Sequence, residues 1–253
     1  MVKVAALQCD IEWENAPANR SRFGDRIEEA ASDGARLILL PEMFPTGFSM
    51  APERFAEDPD GLTATFLHDC ASRTGSWVAG SFACLAPGRD KPTNRFLAAG
   101  PRGEEAIYDK IHPFSYGGES DHYAAGDHTV TFSVDGLRVT PFICYDLRFG
   151  DWFWRTTEET DCYAVVANWP TQRQSHWVDL LRARAIENLA YVVGVNRVGS
   201  GGGVDYSGGT VIFGPFGSTV AFSSEPKEET VTAEVDRSIV DSTRSRYPFI
   251  ADR

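Results

Sequence analysis

Long apolar runs are missing from this chain of 253 residues; no stretch approaches the ~18 uninterrupted apolar residues of a membrane span. Clusters of lysine and arginine are missing as well. With a formal net charge of −12 and no basic face, neither nucleic acid nor a membrane surface is an expected partner. Cysteine is scarce. The five present (Cys9, Cys70, Cys84, Cys144 and Cys162) are odd in number and meet no C-x-x-C spacing. That argues against a disulfide framework and a zinc module, and fits a reducing cytoplasm. The opening Val4-Ala5-Ala6-Leu7 run is broken at Cys9-Asp10, so it reads as a first strand and not as a signal peptide. His112, His122, His128 and His176 match no H-E-x-x-H or Cys/His pattern, so no metal is expected.

What is present is an alternation. A hydrophobic share of 42% against 24% charged residues is ordinary for a soluble globular protein. The length suits one large core, so a single domain over residues 1–253 is expected. Strands are expected over 3–8, 37–40, 77–82, 95–99 and 106–109, with helices over 19–33 and 62–74. The second half repeats the order. Strands over 129–134 and 137–143 form a hairpin around Asp135-Gly136. A Trp/Phe-rich turn or helix follows at 152–154, then a strand at 162–168 and a helix at 175–188. Further strands are expected at 191–196, 210–213, 219–223 and 229–234. The double succession predicts an α/β fold with two sheets of mixed direction and helices on the outer faces. The glycine-rich Gly199–Gly203 stretch, followed by Gly208-Gly209, reads as a mobile loop. Without a Lys-Ser/Thr pair it makes a weak phosphate loop.

Three strand ends carry chemistry. Cys144 ends an apolar run and precedes the polar Tyr145-Asp146-Leu147-Arg148 segment, a corner where a thiol stands exposed beside backbone N–H groups. Glu42 follows Leu37-Ile38-Leu39-Leu40-Pro41, and Lys110 follows Ile107-Tyr108-Asp109. Taken singly, they read as a core thiol, a solvated loop acid and a surface lysine. Together they are what amide cleavage through a thioester requires: a base, a cation for the oxyanion and a nucleophile.

On these segments the chain resembles the nitrilase, or carbon–nitrogen hydrolase, superfamily, whose Glu-Lys-Cys triad matches Glu42, Lys110 and Cys144 in order and context. The runs Cys144–Phe149, Val166-Ala167-Asn168-Trp169-Pro170, Ala183–Asn188 and Glu119–Tyr123 look most like its bacterial omega-amidase branch. The resemblance implies a four-layer αββα sandwich, a homodimer, and hydrolysis of the terminal amide of a small 2-oxo acid such as 2-oxoglutaramate, without a cofactor. It also implies a fourth acid, Glu119, which positions the amide; read alone, Glu119 is a solvated loop residue. The oxyanion donors are then Lys110 and the backbone N–H of Tyr145. A neighbouring lysine and a helix N-terminus would both favour the thiolate.

For the substrate, Arg173 is a candidate carboxylate clamp, though a solvated loop arginine is an equal reading. Phe44, Phe114, Tyr116 and Trp169 are candidate pocket walls against a core role. Arg148 reads as a tie from the nucleophile turn to a neighbouring acid. Three alternatives stay open: an amidase acting on deaminated glutathione or a carbamoyl compound, a nitrilase-like scaffold that binds without turnover, and a thiol redox sensor.

Overall fold

Two six-stranded sheets pack face to face, and their inner faces meet in one large apolar core. The computed structural model describes residues 1–252. The first sheet runs β14 (Glu229–Val235), β1 (Val2–Gln8), β2 (Leu37–Leu39), β3 (Trp77–Cys84), β4 (Thr93–Ala99) and β5 (Glu105–Asp109). The second runs β13 (Thr219–Phe222), β12 (Val211–Phe213), β9 (Tyr191–Asn196), β8 (Cys162–Ala167), β7 (Leu137–Ile143) and β6 (Phe132–Val134). A separate ribbon pairs β10 (Val198–Gly201) with β11 (Val204–Ser207).

Helices cover the outer faces: α1 (Ala16–Ser32) and α3 (Leu62–Thr74) on the first sheet, α5 (Gly150–Arg155) and α6 (Gln174–Asn188) on the second. Short helices α2 (Pro52–Phe55) and α4 (Glu119–His122) lie in connections, and α7 (Arg237–Arg246) follows β14. This is the expected αββα sandwich. Among the described residues no helix is long and apolar enough to cross a membrane.

The two-residue period of a strand explains the layering. Along β1, Val4 and Ala6 enter the core between the sheets, while Ala5 and Leu7 join the layer under α1 and α3. That outer layer takes Phe23, Ile27 and Ala30 from α1 and Leu67, Cys70 and Ala71 from α3, one face of each helix. Asn15 caps α1 by accepting the Ala18 N–H at 3.3 Å. Gly75 closes α3 in the left-handed conformation, with φ +69°.

One expectation changes, and one helix comes without any. The glycine-rich stretch from 199 is not a loop but the β10–β11 ribbon, whose turn is formed by Gly202 and Gly203. Gly199 is needed there, because φ is +82° and a Cβ would lie 2.1 Å from Asp10 Oδ1. Helix α7 has no sequence expectation behind it. Only Val240 is buried in it, so its apolar period is too thin to read.

Candidate active site

Glu42, Lys110 and Cys144 each stand just beyond a strand's C-terminal end, and the packing of the two sheets brings them together. After β2 the chain stays bonded to β3, with Leu40 N–H on Ala79 O at 2.8 Å and Phe44 N–H on Ser81 O at 3.2 Å. Met43 turns the backbone at φ +44°, and its N–H is held by Ser81 Oγ at 2.8 Å. After β5, the Lys110 N–H bonds Asn94 O at 2.9 Å. After β7, Cys144 takes φ +46°, a left-handed conformation that is strained for any residue with a Cβ.

Asp146 holds that corner. Its buried carboxylate accepts the Ile143 N–H at 3.0 Å and Tyr108 Oη at 2.8 Å, and on its other oxygen the His112 N–H at 2.9 Å. His112 Nδ1 lies 2.9 Å from the same oxygen, and its ring stacks on Phe149. One carboxylate therefore ties the end of β7, which carries the cysteine, to the end of β5, which carries the lysine.

The charged cluster is dry. Glu42, Lys110 and Glu119 all have 0% exposure. Lys110 Nζ donates to Glu42 Oε1 at 2.9 Å and to Glu119 Oε2 at 2.7 Å. Asn94 Nδ2 spans the same two acids, 2.8 Å from Glu42 Oε1 and 3.1 Å from Glu119 Oε1. The Asn168 N–H reaches Glu42 Oε2 at 2.8 Å, and the Phe114 N–H reaches Glu119 Oε2 at 2.5 Å. Such saturation is what lets ions persist away from water, because an unpaired buried charge costs several kcal/mol. An ammonium has three donors. Two are directed at carboxylates, which leaves one uncommitted.

Electrostatics set the resting protonation. Burial opposes the Lys110 ammonium, but the Glu119 and Glu42 carboxylates outweigh it and its pKa rises. Burial raises the Glu119 carboxyl despite Lys110. Cys144 is pushed well above the ordinary thiol range, first by burial and then by the Glu42 charge, with Lys110 opposing. Lys110 favours the thiolate as expected, but burial and the Glu42 charge outweigh it, so the balance lies toward the thiol.

Cys144 is half-buried and opens onto a cavity of about 480 Å³. Phe114, Tyr116, Trp169 and Arg173 line it, as expected. Tyr116 is a rim residue at 88% exposure, whereas Trp169 is buried and bonds Arg173 O through Nε1 at 2.8 Å. Phe44 does not line it. That ring is fully buried under α1 and α3 against Phe23 and Phe66, because the turn at Met43 sends it to the outer layer. Among the described residues Arg148 does not tie the turn to an acid. It lines the cavity, lies 5.1 Å from the Trp169 ring and meets His176 Nδ1 at 3.2 Å. Arg173 lies over Phe114 at 5.4 Å.

The ribbon supplies Tyr206 to the cavity wall. It is anchored by Arg197, fully buried, whose Nη2 reaches Asp10 Oδ1 at 2.8 Å, Ile11 O at 2.9 Å and Ser200 O at 3.1 Å. Its guanidinium sits 4.6 Å from the Tyr206 ring.

Asn94, Asp146 and Asn168 were not foreseen as site residues. Neutral amides carry no charge to mark them, and a lone aspartate in a turn reads as a turn former. Asn168 alone offered a signal, since it follows a buried strand as Glu42 does.

The model of the carbon–nitrogen hydrolase family matches residues 3–245. The omega-amidase YafV of Escherichia coli K12 is 37% identical over 254 aligned residues, covering 99% of this chain and 96% of its own. The 2-oxoglutaramate amidase of Bacillus subtilis is 29% identical, covering 98% of this chain and 96% of its own. Among solved structures, XC1258 of Xanthomonas campestris, a CN-hydrolase superfamily protein with an arsenic adduct in its active site, superposes with a TM-score of 0.93. It is 33% identical, covering 100% of this chain and 97% of its own.

Proposed function

Since the chain belongs to the carbon–nitrogen hydrolase family, we propose that it is an omega-amidase, hydrolysing the terminal amide of a small 2-oxo acid to the acid and ammonia. The observation that carries this reading is on the cavity wall. Arg148 and Arg173 both line it, and neither forms an ion pair with a carboxylate among the described residues. In a chain of net charge −12, two guanidinium groups without acid partners beside a nucleophile suit an anionic acyl group.

In the reaction, Glu42 takes the proton of Cys144 as the sulfur attacks the amide carbon. The oxyanion is held by the third Lys110 donor and the Tyr145 N–H. Glu119 keeps the ammonium aimed from behind. Protonated Glu42 then passes its proton to the nitrogen, the C–N bond breaks and ammonia leaves a thioester on Cys144. Water adds to the thioester, Glu42 takes its proton, and cleavage of the C–S bond returns that proton to sulfur. One water is consumed and one ammonia is released, and the sequence of steps calls on no cofactor. A cytoplasmic homodimer completes the proposal. The free cysteines support the compartment, and the surface aromatic stack of Phe216, Tyr247 and Phe249 supports self-association, which sedimentation measures.

The test is ammonia release from 2-oxoglutaramate beside glutamine, deaminated glutathione, a carbamoyl compound and a nitrile. Arg148→Ala and Arg173→Ala should each raise KM for the 2-oxo acid amide about tenfold or more, as lost charge-assisted hydrogen bonds do. Unchanged KM in both variants, or preference for an uncharged amide, would sink the reading.

A further inference from the structure

We infer that Asn168 receives an N–H of the scissile amide, making this site selective for primary amides over esters of the same acid; the inference rests on the amidase reading above. The side chain's orientation is settled by its partner. Asn168 Nδ2 lies 2.5 Å from Glu42 O, an acceptor, so the nitrogen must face that carbonyl and Oδ1 must be the other end. With the backbone N–H on Glu42 Oε2, the residue is fixed twice against the base. Its Oδ1 is buried and has no hydrogen-bond partner among the described residues. The residue is only 4% exposed, yet it lines the cavity that Cys144 opens onto. A buried acceptor without a donor costs about 1–3 kcal/mol, and such atoms mark places where a ligand supplies the missing group.

The alternatives nearby are already engaged. Glu42 receives Lys110, Asn94 and Asn168, and Glu119 receives Lys110, Asn94 and Phe114. Glu119, expected to position the amide, has both oxygens engaged, Oε1 by Asn94 and Oε2 by Lys110 and the Phe114 N–H. Asn94 Oδ1 is also unpartnered, but that side chain lies between the two buried acids. Asn168, which lines the same cavity as Cys144, is therefore the residue there that carries an uncommitted neutral acceptor just beneath the wall.

Neutrality matters for the chemistry. The leaving nitrogen must accept a proton from Glu42, and a second carboxylate would compete for it. A carboxamide oxygen holds one N–H without drawing the proton away. It thereby fixes the nitrogen's rotation, so that the lone pair formed on attack faces Glu42. An ester oxygen has no hydrogen to offer.

The experiment compares kcat/KM of the unaltered protein and Asn168→Ala for 2-oxoglutaramate and for the 5-methyl ester of 2-oxoglutarate, which delivers the same acyl group. Loss of one substrate hydrogen bond should lower the amide value about tenfold to a hundredfold more than the ester value, whose own fall reports the lost brace on Glu42. Parallel losses would mean that Asn168 only braces Glu42, and they overturn the inference alone; so does no change for the amide. If the unaltered protein turns over neither compound, the amidase reading falls and the inference with it. Should Asn168→Ala not fold, calorimetry on Cys144→Ala decides: the amide must bind more tightly than the ester, and equal affinities overturn the assignment.

Discussion

Two cysteines in this protein occupy the same topological position and differ in almost every other respect. Each sheet has the same ladder: one antiparallel pair, two parallel pairs, then two antiparallel pairs. In that correspondence β1 matches β7, and each is followed at once by a cysteine: Cys9 after Gln8, Cys144 after Ile143. Cys9 is packed in the outer apolar layer, and burial pushes its thiol up to about 12. The neighbouring Gln8 is tied to Ser223 Oγ at 2.8 Å and accepts the Thr210 N–H at 3.0 Å, so that end is structural. At the other end the backbone turns left-handed, a cavity opens and Glu42 stands beside the sulfur. A strand-end thiol is therefore not a nucleophile by position. What sets Cys144 apart is a carboxylate from the opposite sheet beside its sulfur.

The sharpest way to break this comparison is to remove each sulfur in turn. Cys144→Ala should lower ammonia release by at least about 10⁴-fold, as loss of a covalent nucleophile does, with the melting temperature retained. Cys9→Ala should keep turnover within about threefold and lose stability instead. Retained turnover in the first variant ends the mechanism. Next in size is Glu42→Gln, which keeps the shape of the base and removes its charge. A fall of about 10²–10⁴-fold in kcat is expected, along with destabilisation, because the buried Lys110 ammonium loses one of its two carboxylates. Turnover near the unaltered level would place the base elsewhere.

A smaller effect separates the thiols by pH. Alkylation by iodoacetamide follows the thiolate fraction, and a free cysteine titrates near ~8.5. Because the Cys144 pKa is raised, it should be mostly protonated at neutral pH, and its alkylation should climb only above the free-thiol range. Cys9 should stay unmodified throughout while the protein is folded. Peptide mass spectrometry across a pH series reads both. A Cys144 midpoint below that of free cysteine would show that Lys110 outweighs burial and Glu42.

Much of this was legible in the chain. Strands ending at Pro41-Glu42, Asp109-Lys110 and Ile143-Cys144 are bounded by abrupt changes from apolar to polar, which periodicity detects. Their convergence is different, since it depends on how two sheets twist and stack and no local pattern records it. Phe44 shows the limit. An aromatic beside a catalytic acid reads as a pocket wall until a left-handed Met43 turns it to the far side of the sheet. Arg148 shows another, because whether a guanidinium meets an acid or a cavity depends on distant residues such as Trp169 and His176. The ribbon went unread because glycines that look like slack are, at Gly199, a fit against Asp10.

The left-handed corner at Cys144 has a consequence for how such a protein changes over generations. Any L-residue there costs on the order of 1–3 kcal/mol, a burden glycine escapes. Chemistry aside, the fold itself would favour glycine here, not merely loss of the sulfur, and a lineage no longer selected for turnover should drift toward glycine at this position. On the amidase reading, Cys144 marks where the needs of the scaffold and of the reaction part company.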